Sequence, residues 1–141
     1  MEPKILIPVD ESATSQNTID KVIELKEQFP QRLTLLHVVN DQLAYRMIPD
    51  FQVEMVRENA AKAGQLHLEK IAGQLGIAGF EPELLLEFGT PRLVIPQIAN
   101  ERGFQLLVIG RHVGGGEIRD VLFGSVANYV LHNVKCPVLL F

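Results

Sequence analysis

The sequence is poor in the residues that several kinds of chemistry require. It has one cysteine, Cys136, among 141 residues, which excludes an internal disulfide and a cysteine-based metal cluster. Standing before Pro137 at the start of an apolar run, Cys136 reads as a small buried hydrophobe. Positive charge is not in excess: 13 Lys and Arg stand against 17 Asp and Glu, for a net charge of −4. No basic surface is implied, so nucleic acid is not an expected partner. No apolar run approaches the ~20 residues of a membrane-spanning helix, and the opening MEPKILIPVD lacks the long apolar core of a signal peptide. The expectation is a cytoplasmic protein without membrane insertion. No GxxxxGK[ST] loop occurs, and no Asp, Glu or His spacing predicts a dedicated metal site. Ser125 has no evident histidine–acid partner and reads as a helix cap and hydrogen-bond donor rather than a nucleophile.

What is present is an ordinary globular composition, 47% apolar and 21% charged. Residues 1–141 read as one domain, long enough to bury a sizeable core. Short continuous apolar runs fall at residues 5–9, 33–39, 83–88, 105–109 and 137–141. Runs of that kind are strands covered on both faces. Helical patterns lie between them. Ser12 or Thr14 caps the first, Ile19, Val22, Ile23, Leu25 and Phe29 form its apolar face, and Pro30 ends it. A connection of about ten residues, 40–50, is longer than the usual ~2–6 and reads as a lid. The longest helix, 51–75, carries Val53, Val56, Ala60, Gly64, Leu68, Ile71 and Leu75 as one stripe. A third opens with Thr90 as cap and Pro91 at its first position, and Pro96 is expected to kink or shorten it. The fourth, 125–133, turns Val126, Val130 and Leu131 inward. His37 and His67 lie on or near apolar faces and read as structural. The alternation predicts an α/β fold: a single open, five-stranded, mostly parallel, Rossmann-like sheet with helices on both faces.

In such sheets the ligand crevice lies beyond the C-terminal strand ends, where strand order reverses. The residues that land there are Pro8, Val9 and Asp10, then Val38 and Val39, then the loop after Ile109. That loop, with its flanks, reads GRHVGGGEIRDVLFGS from Gly110 to Ser125, with five glycines in sixteen residues. It empties a strand through glycines onto a helix start, where backbone N–H groups point at an anion and the helix adds partial positive charge. The loop is accordingly a candidate cradle for nucleotide phosphates, with Arg111, His112 and Arg119 as nearby side chains. The plainer readings are a flexible connection that caps a helix, and for Asp10 a surface acid that caps the first helix together with Ser12.

These features together resemble a universal stress protein domain over essentially the whole length. Nucleotide-binding members of that family carry Gly, two residues, Gly, nine residues, then Gly-Ser or Gly-Thr. Here Gly110 and Gly124-Ser125 are in place, but Val113 stands at the middle glycine and Gly114 follows one position late. From Gly114 the nine-residue gap to Gly124 is met, so the loop is similar to the motif with one residue inserted, padded by Gly115 and Gly116. Val9-Asp10, Leu36-His37-Val38-Val39, Gly89-Thr90-Pro91 and Cys136-Pro137-Val138-Leu139 are also family-like.

The resemblance implies an adenine nucleotide alpha hydrolase-like fold and an adenine nucleotide as ligand: ATP, ADP or AMP, with Mg accompanying it. Asp10 and the Val38 backbone would hold adenine beside Pro8, Val9 and Ile109. Gly110, Arg111, His112 and Gly114 would pass the ribose and phosphates, and Gly124, Ser125 and Val126 would bind the phosphates. It further implies a stress-response or signalling module, dimeric through its terminal strand 138–141, acting on a protein partner. The alternatives are a slow ATPase, for which no general base is apparent, and an interaction dimer that binds no nucleotide. A receiver-type signalling domain fails because Glu87-Phe88-Gly89 stands where its aspartate would be.

Overall fold

The apolar runs become five short strands: β1 (Ile5–Pro8), β2 (Thr34–Val39), β3 (Glu83–Phe88), β4 (Leu106–Ile109) and β5 (Val138–Leu140). The computed structural model describes residues 2–40, 49–111 and 125–141. The strands form one sheet in the order β3-β2-β1-β4-β5, and every neighbouring pair is parallel. The chain therefore builds outward from β1 to β3, returns across the sheet, and builds outward again through β4 to β5.

Both faces of the sheet are covered, which is why its strands lack polar alternation. Ile5, Ile7, Leu33, Leu35 and Val108 face α1 (Ala13–Glu24) and α2 (Asp50–Ile77), packing with Ile19, Val22, Leu68, Ile71 and Leu75. Leu6, Leu36, Leu107 and Ile109 face α3 (Pro91–Glu101) and α4 (Ser125–Asn133), packing with Ile95, Ile98, Ala99 and Val130. The fold is the expected Rossmann-like one.

Several local expectations change. Ser12 does cap α1, its side chain accepting from the Ser15 N–H at 3.1 Å. The helix ends at Glu24 rather than near Phe29, however. A tighter turn, Lys26–Gln28, follows, and Phe29 reaches the core from extended backbone. In α2, Leu68, Ile71 and Leu75 are buried, whereas Val56 is exposed. The reason is length: 28 residues of helix run about 42 Å, while a six-residue strand runs only about 20 Å, so the stripe outlasts the sheet beneath it.

Pro96 lies inside α3 without shortening it. Its missing N–H frees the carbonyl of Arg92, an exposed residue whose backbone water can satisfy. Thr90 occupies the cap position, but its side chain makes no capping hydrogen bond. Just before it, Gly89 has φ +139°, a region other residues avoid. A Cβ there would also lie 2.7 Å from Val94 Cγ2. Among the described residues, no helix is long and apolar enough to cross a membrane, and no group of three or more His, Cys, Asp or Glu is placed to hold a metal. The proposed lid, 40–50, falls mostly outside the described residues.

Cys136 is half-buried and packs at the edge of the α3–α4 core. Burial pushes its thiol above the ordinary cysteine range, partly offset by a hydrogen bond from its own backbone. At a given pH the folded protein therefore holds less thiolate than the unfolded chain. Iodoacetamide at pH 8 should label the folded protein more slowly than urea-unfolded protein. The unfolded chain loses the proton first, so this group should lower stability as pH rises through the thiol range.

Candidate functional site

The sheet opens at Pro8. In a strand, successive residues present their N–H and C=O groups to opposite neighbours. The Val9 N–H donates to the Leu36 carbonyl of β2 at 2.8 Å, so the nitrogen of Pro8 faces β4, and it carries no hydrogen. Accordingly the register of β1 with β2 continues to Pro8↔Leu36, whereas its register with β4 stops at Leu6↔Leu107. The two central strands part there, at the point where strand order reverses, and a cavity of about 310 Å³ occupies the gap. That volume lies at the lower end of small-molecule sites, ~300–1,000 Å³.

Pro8, Val9, Asp10, Val38, Ile109, Gly110 and Val126 all line this cavity. Leu36, Ile95 and Val130 complete an apolar floor, while Ser12, Thr14, Ser15 and Thr18 contribute hydroxyls from α1. Among the described residues that line the cavity, Asp10 is the one that carries a charge. Two helices begin at its edge, α1 after Ser12 and α4 at Ser125. Both direct the partial positive charge of an N-terminus toward it.

Val38 is placed by the same alternation. The Leu36 carbonyl faces β1, and the Val39 carbonyl accepts from the Gly89 N–H on the β3 side at 3.0 Å. The N–H and C=O of Val38 therefore face the β1 side. The β1–β2 register ends at Leu36, so β1 supplies no strand residue opposite Val38. Its peptide edge is turned toward the cavity.

Asp10 is held at three points. Its N–H donates to Ser15 Oγ at 2.8 Å, its Oδ1 accepts from the Ser12 N–H at 2.8 Å, and its carbonyl accepts from His67 Nε2 at 2.6 Å. A carboxylate fixed in this way is pre-organised for a ligand. The capping role expected of Asp10 with Ser12 is thus partly present, as a turn that precedes α1.

Gly110 is required by space. A Cβ there would strike Thr18 Oγ1 and lie 2.8 Å from Thr14 Cγ2. Helix α1 lies directly against the end of β4, and Thr18 turns its hydroxyl onto the Thr14 carbonyl at 2.9 Å. Val126, expected on the inward face of α4 and also at the nucleotide site, is 40% exposed and lines the cavity. Arg111 is not among the lining residues; its N–H donates to the Phe141 carbonyl at 2.9 Å, beside β5. His112, Gly114, Gly124 and Arg119 lie outside the described residues, while Ser125 is the first residue of α4. Sequence reasoning missed Ser15 and Thr18 as site residues. The signal was there: both are polar, yet sit on the buried side of α1 with Ile19 and Val22.

With this geometry in view, comparisons with known proteins agree. The model of the universal stress protein family matches residues 1–141. The chain belongs to the universal stress protein family. Universal stress protein YxiE of Bacillus subtilis is 26% identical over 145 residues, covering 97% of each protein. The solved structure of universal stress protein MJ0577 of Methanocaldococcus jannaschii matches with a TM-score of 0.81 at 26% identity, over 99% of this chain and 95% of that one. A universal stress protein family structure from Arabidopsis thaliana, with AMP bound, matches with a TM-score of 0.67 at 21% identity, over 99% and 91% of the two chains.

In this universal stress protein the approach of α1 to Gly110 is directly testable. Gly110→Ala should cost about 1–3 kcal/mol by overpacking, read as a lower urea midpoint. Gly73→Ala, where an added Cβ meets nothing within 4 Å, is the control and should not destabilise.

Proposed function

We propose that this universal stress protein binds an adenine nucleotide in the cavity between β1 and β4. The observation that carries the reading is the peptide edge of Val38, which presents one donor and one acceptor to an apolar cavity. An adenine ring offers the complementary acceptor and amino donor on one edge and apolar faces above and below. Asp10 and Val38 hold the base, with Pro8, Val9 and Ile109 as its walls. Gly110, Arg111, His112 and Gly114 pass the ribose and phosphates. Gly124, Ser125 and Val126, at the start of α4, take the phosphates. The AMP bound to the Arabidopsis relative supports this class of ligand. The nucleotide is ATP, ADP or AMP, and Mg accompanies the phosphates.

The module is a cytoplasmic homodimer that pairs through residues 138–141 and reports nucleotide occupancy to a protein partner. The position of β5 at the end of the strand order supports this, since an apolar edge strand invites pairing.

The direct test is the nucleotide content of the purified protein, released by denaturation and resolved by ion exchange. About one equivalent of adenine nucleotide per chain is expected from one occupied cavity. An empty protein that shows no thermal shift with millimolar Mg-ATP would sink the reading and leave the dimer surface as the seat of function. In Val38→Pro the N–H facing the cavity is lost without removing a ladder bond. Affinity for AMP should fall at least about tenfold, the worth of one hydrogen bond of ~1.4 kcal/mol, measured by calorimetry on protein of unchanged helical content.

A further inference from the structure

Behind the cavity, on the opposite face of the sheet, two histidines reach the end of β1. Alternation along β2 sends Leu36 and Val38 toward the cavity and His37 toward α2. His37 Nδ1 lies 3.0 Å from the Val9 carbonyl oxygen, and His67 Nε2, from α2, lies 2.6 Å from that of Asp10. The two rings meet edge to face, 6.1 Å between centroids. Helix α2 makes room for them at Gly64, where a Cβ would lie 2.6 Å from His37 Cδ2. A carbonyl only accepts, so each contacting nitrogen carries its hydrogen: His37 is protonated at Nδ1 and His67 at Nε2.

These contacts act on consecutive peptide groups. The Val9–Asp10 peptide is held at its oxygen by His37 and at its nitrogen by Ser15 Oγ. The Asp10–Glu11 peptide is held at its oxygen by His67. Fixing the peptide planes on both sides of the Asp10 Cα fixes its φ and ψ, and with them the direction of its Cα–Cβ bond, from which the Ser12 N–H at Oδ1 sets the carboxylate. Both histidines contact the backbone of the cavity wall from behind, and His37 is not among the residues lining the cavity.

We infer that His37 and His67 are positioning residues for the nucleotide site, aiming Asp10 by pinning the backbone on either side of it. The inference rests on the adenine-nucleotide reading of the cavity. It separates from simple packing because an amide can replace each donor. Asn Nδ2 stands near the place of His Nδ1, and Gln Nε2 near that of His Nε2.

The experiment compares His37→Leu, His37→Asn, His67→Leu and His67→Gln in the full chain. It uses AMP titration, amide hydrogen exchange, thermal melting and imidazole 15N NMR of the wild type. Each Leu variant should weaken AMP binding about tenfold and speed exchange of the Asp10 amide by a similar factor. The Phe141 amide, bonded on the far side of the sheet to Ile109, should exchange as before. The Asn and Gln variants should recover most of both effects, and NMR should find hydrogen on His37 Nδ1 and His67 Nε2.

Leu variants that melt earlier but keep wild-type AMP affinity and Asp10 exchange would make the histidines packing residues only. Amide variants that fold normally yet recover neither effect would overturn the inference as well, as would the opposite tautomers. Wild-type protein that takes up no AMP overturns the nucleotide reading instead, and the exchange measurements then decide the backbone pins by themselves.

Discussion

A central strand must satisfy hydrogen bonds on both edges, and β1 stops doing so at Pro8. Its ladder toward β2 runs on through the Val9 N–H, while its ladder toward β4 is already finished. A proline in the middle of a sheet is ordinarily excluded because it deletes a ladder bond. Here the deleted bond is the one that would have closed the crevice. The missing hydrogen, the reversal of strand order and the cavity coincide at one residue. The apolar floor, the hydroxyls of α1 and the opening of α4 are arranged around that split.

The short alternation Leu36-His37-Val38 serves both faces of the sheet. Leu36 and Val38 line the cavity, while His37 reaches the β1 backbone from the side of α2. Pre-organisation of this kind is cheap in residues because it uses contacts that the core needs in any case. The carbonyls of Val9 and Asp10 leave the sheet and still require donors. The histidines supply them and remove freedom from the loop at the same time. At the other wall, α1 is driven so close to β4 that Gly110 can carry no side chain. One wall is therefore set by hydrogen bonds and the other by steric contact.

Much of this was legible from periodicity and punctuation. Five apolar runs separated by helical patterns gave the strands to within a residue or two. Pro8 and Gly110 marked the crevice because proline and glycine act through local backbone chemistry, which a sequence displays directly. The contributions of Ser15, Thr18, His37 and His67 depend on which elements meet in space. Nothing in the run of residues near His67 announces a carbonyl 57 positions away. The N-terminal stripe of α2 misled for a related reason, since helical spacing says which residues share a face but not how far the sheet beneath extends. The assignments to His112, Gly114 and Gly124 fall outside the described residues.

The slot at Gly64 ties two distant positions to a common history. An imidazole at position 37 fits only while position 64 has no side chain, because the two would otherwise claim the same space. Neither position is free to drift alone. A lineage that replaced the histidine with a smaller residue would open a void against α2, which a methyl group at 64 could then fill. A lineage that first enlarged residue 64 would have to abandon the histidine. Substitutions at these sites should therefore travel as a pair, with the end of β1 recording which pair is present.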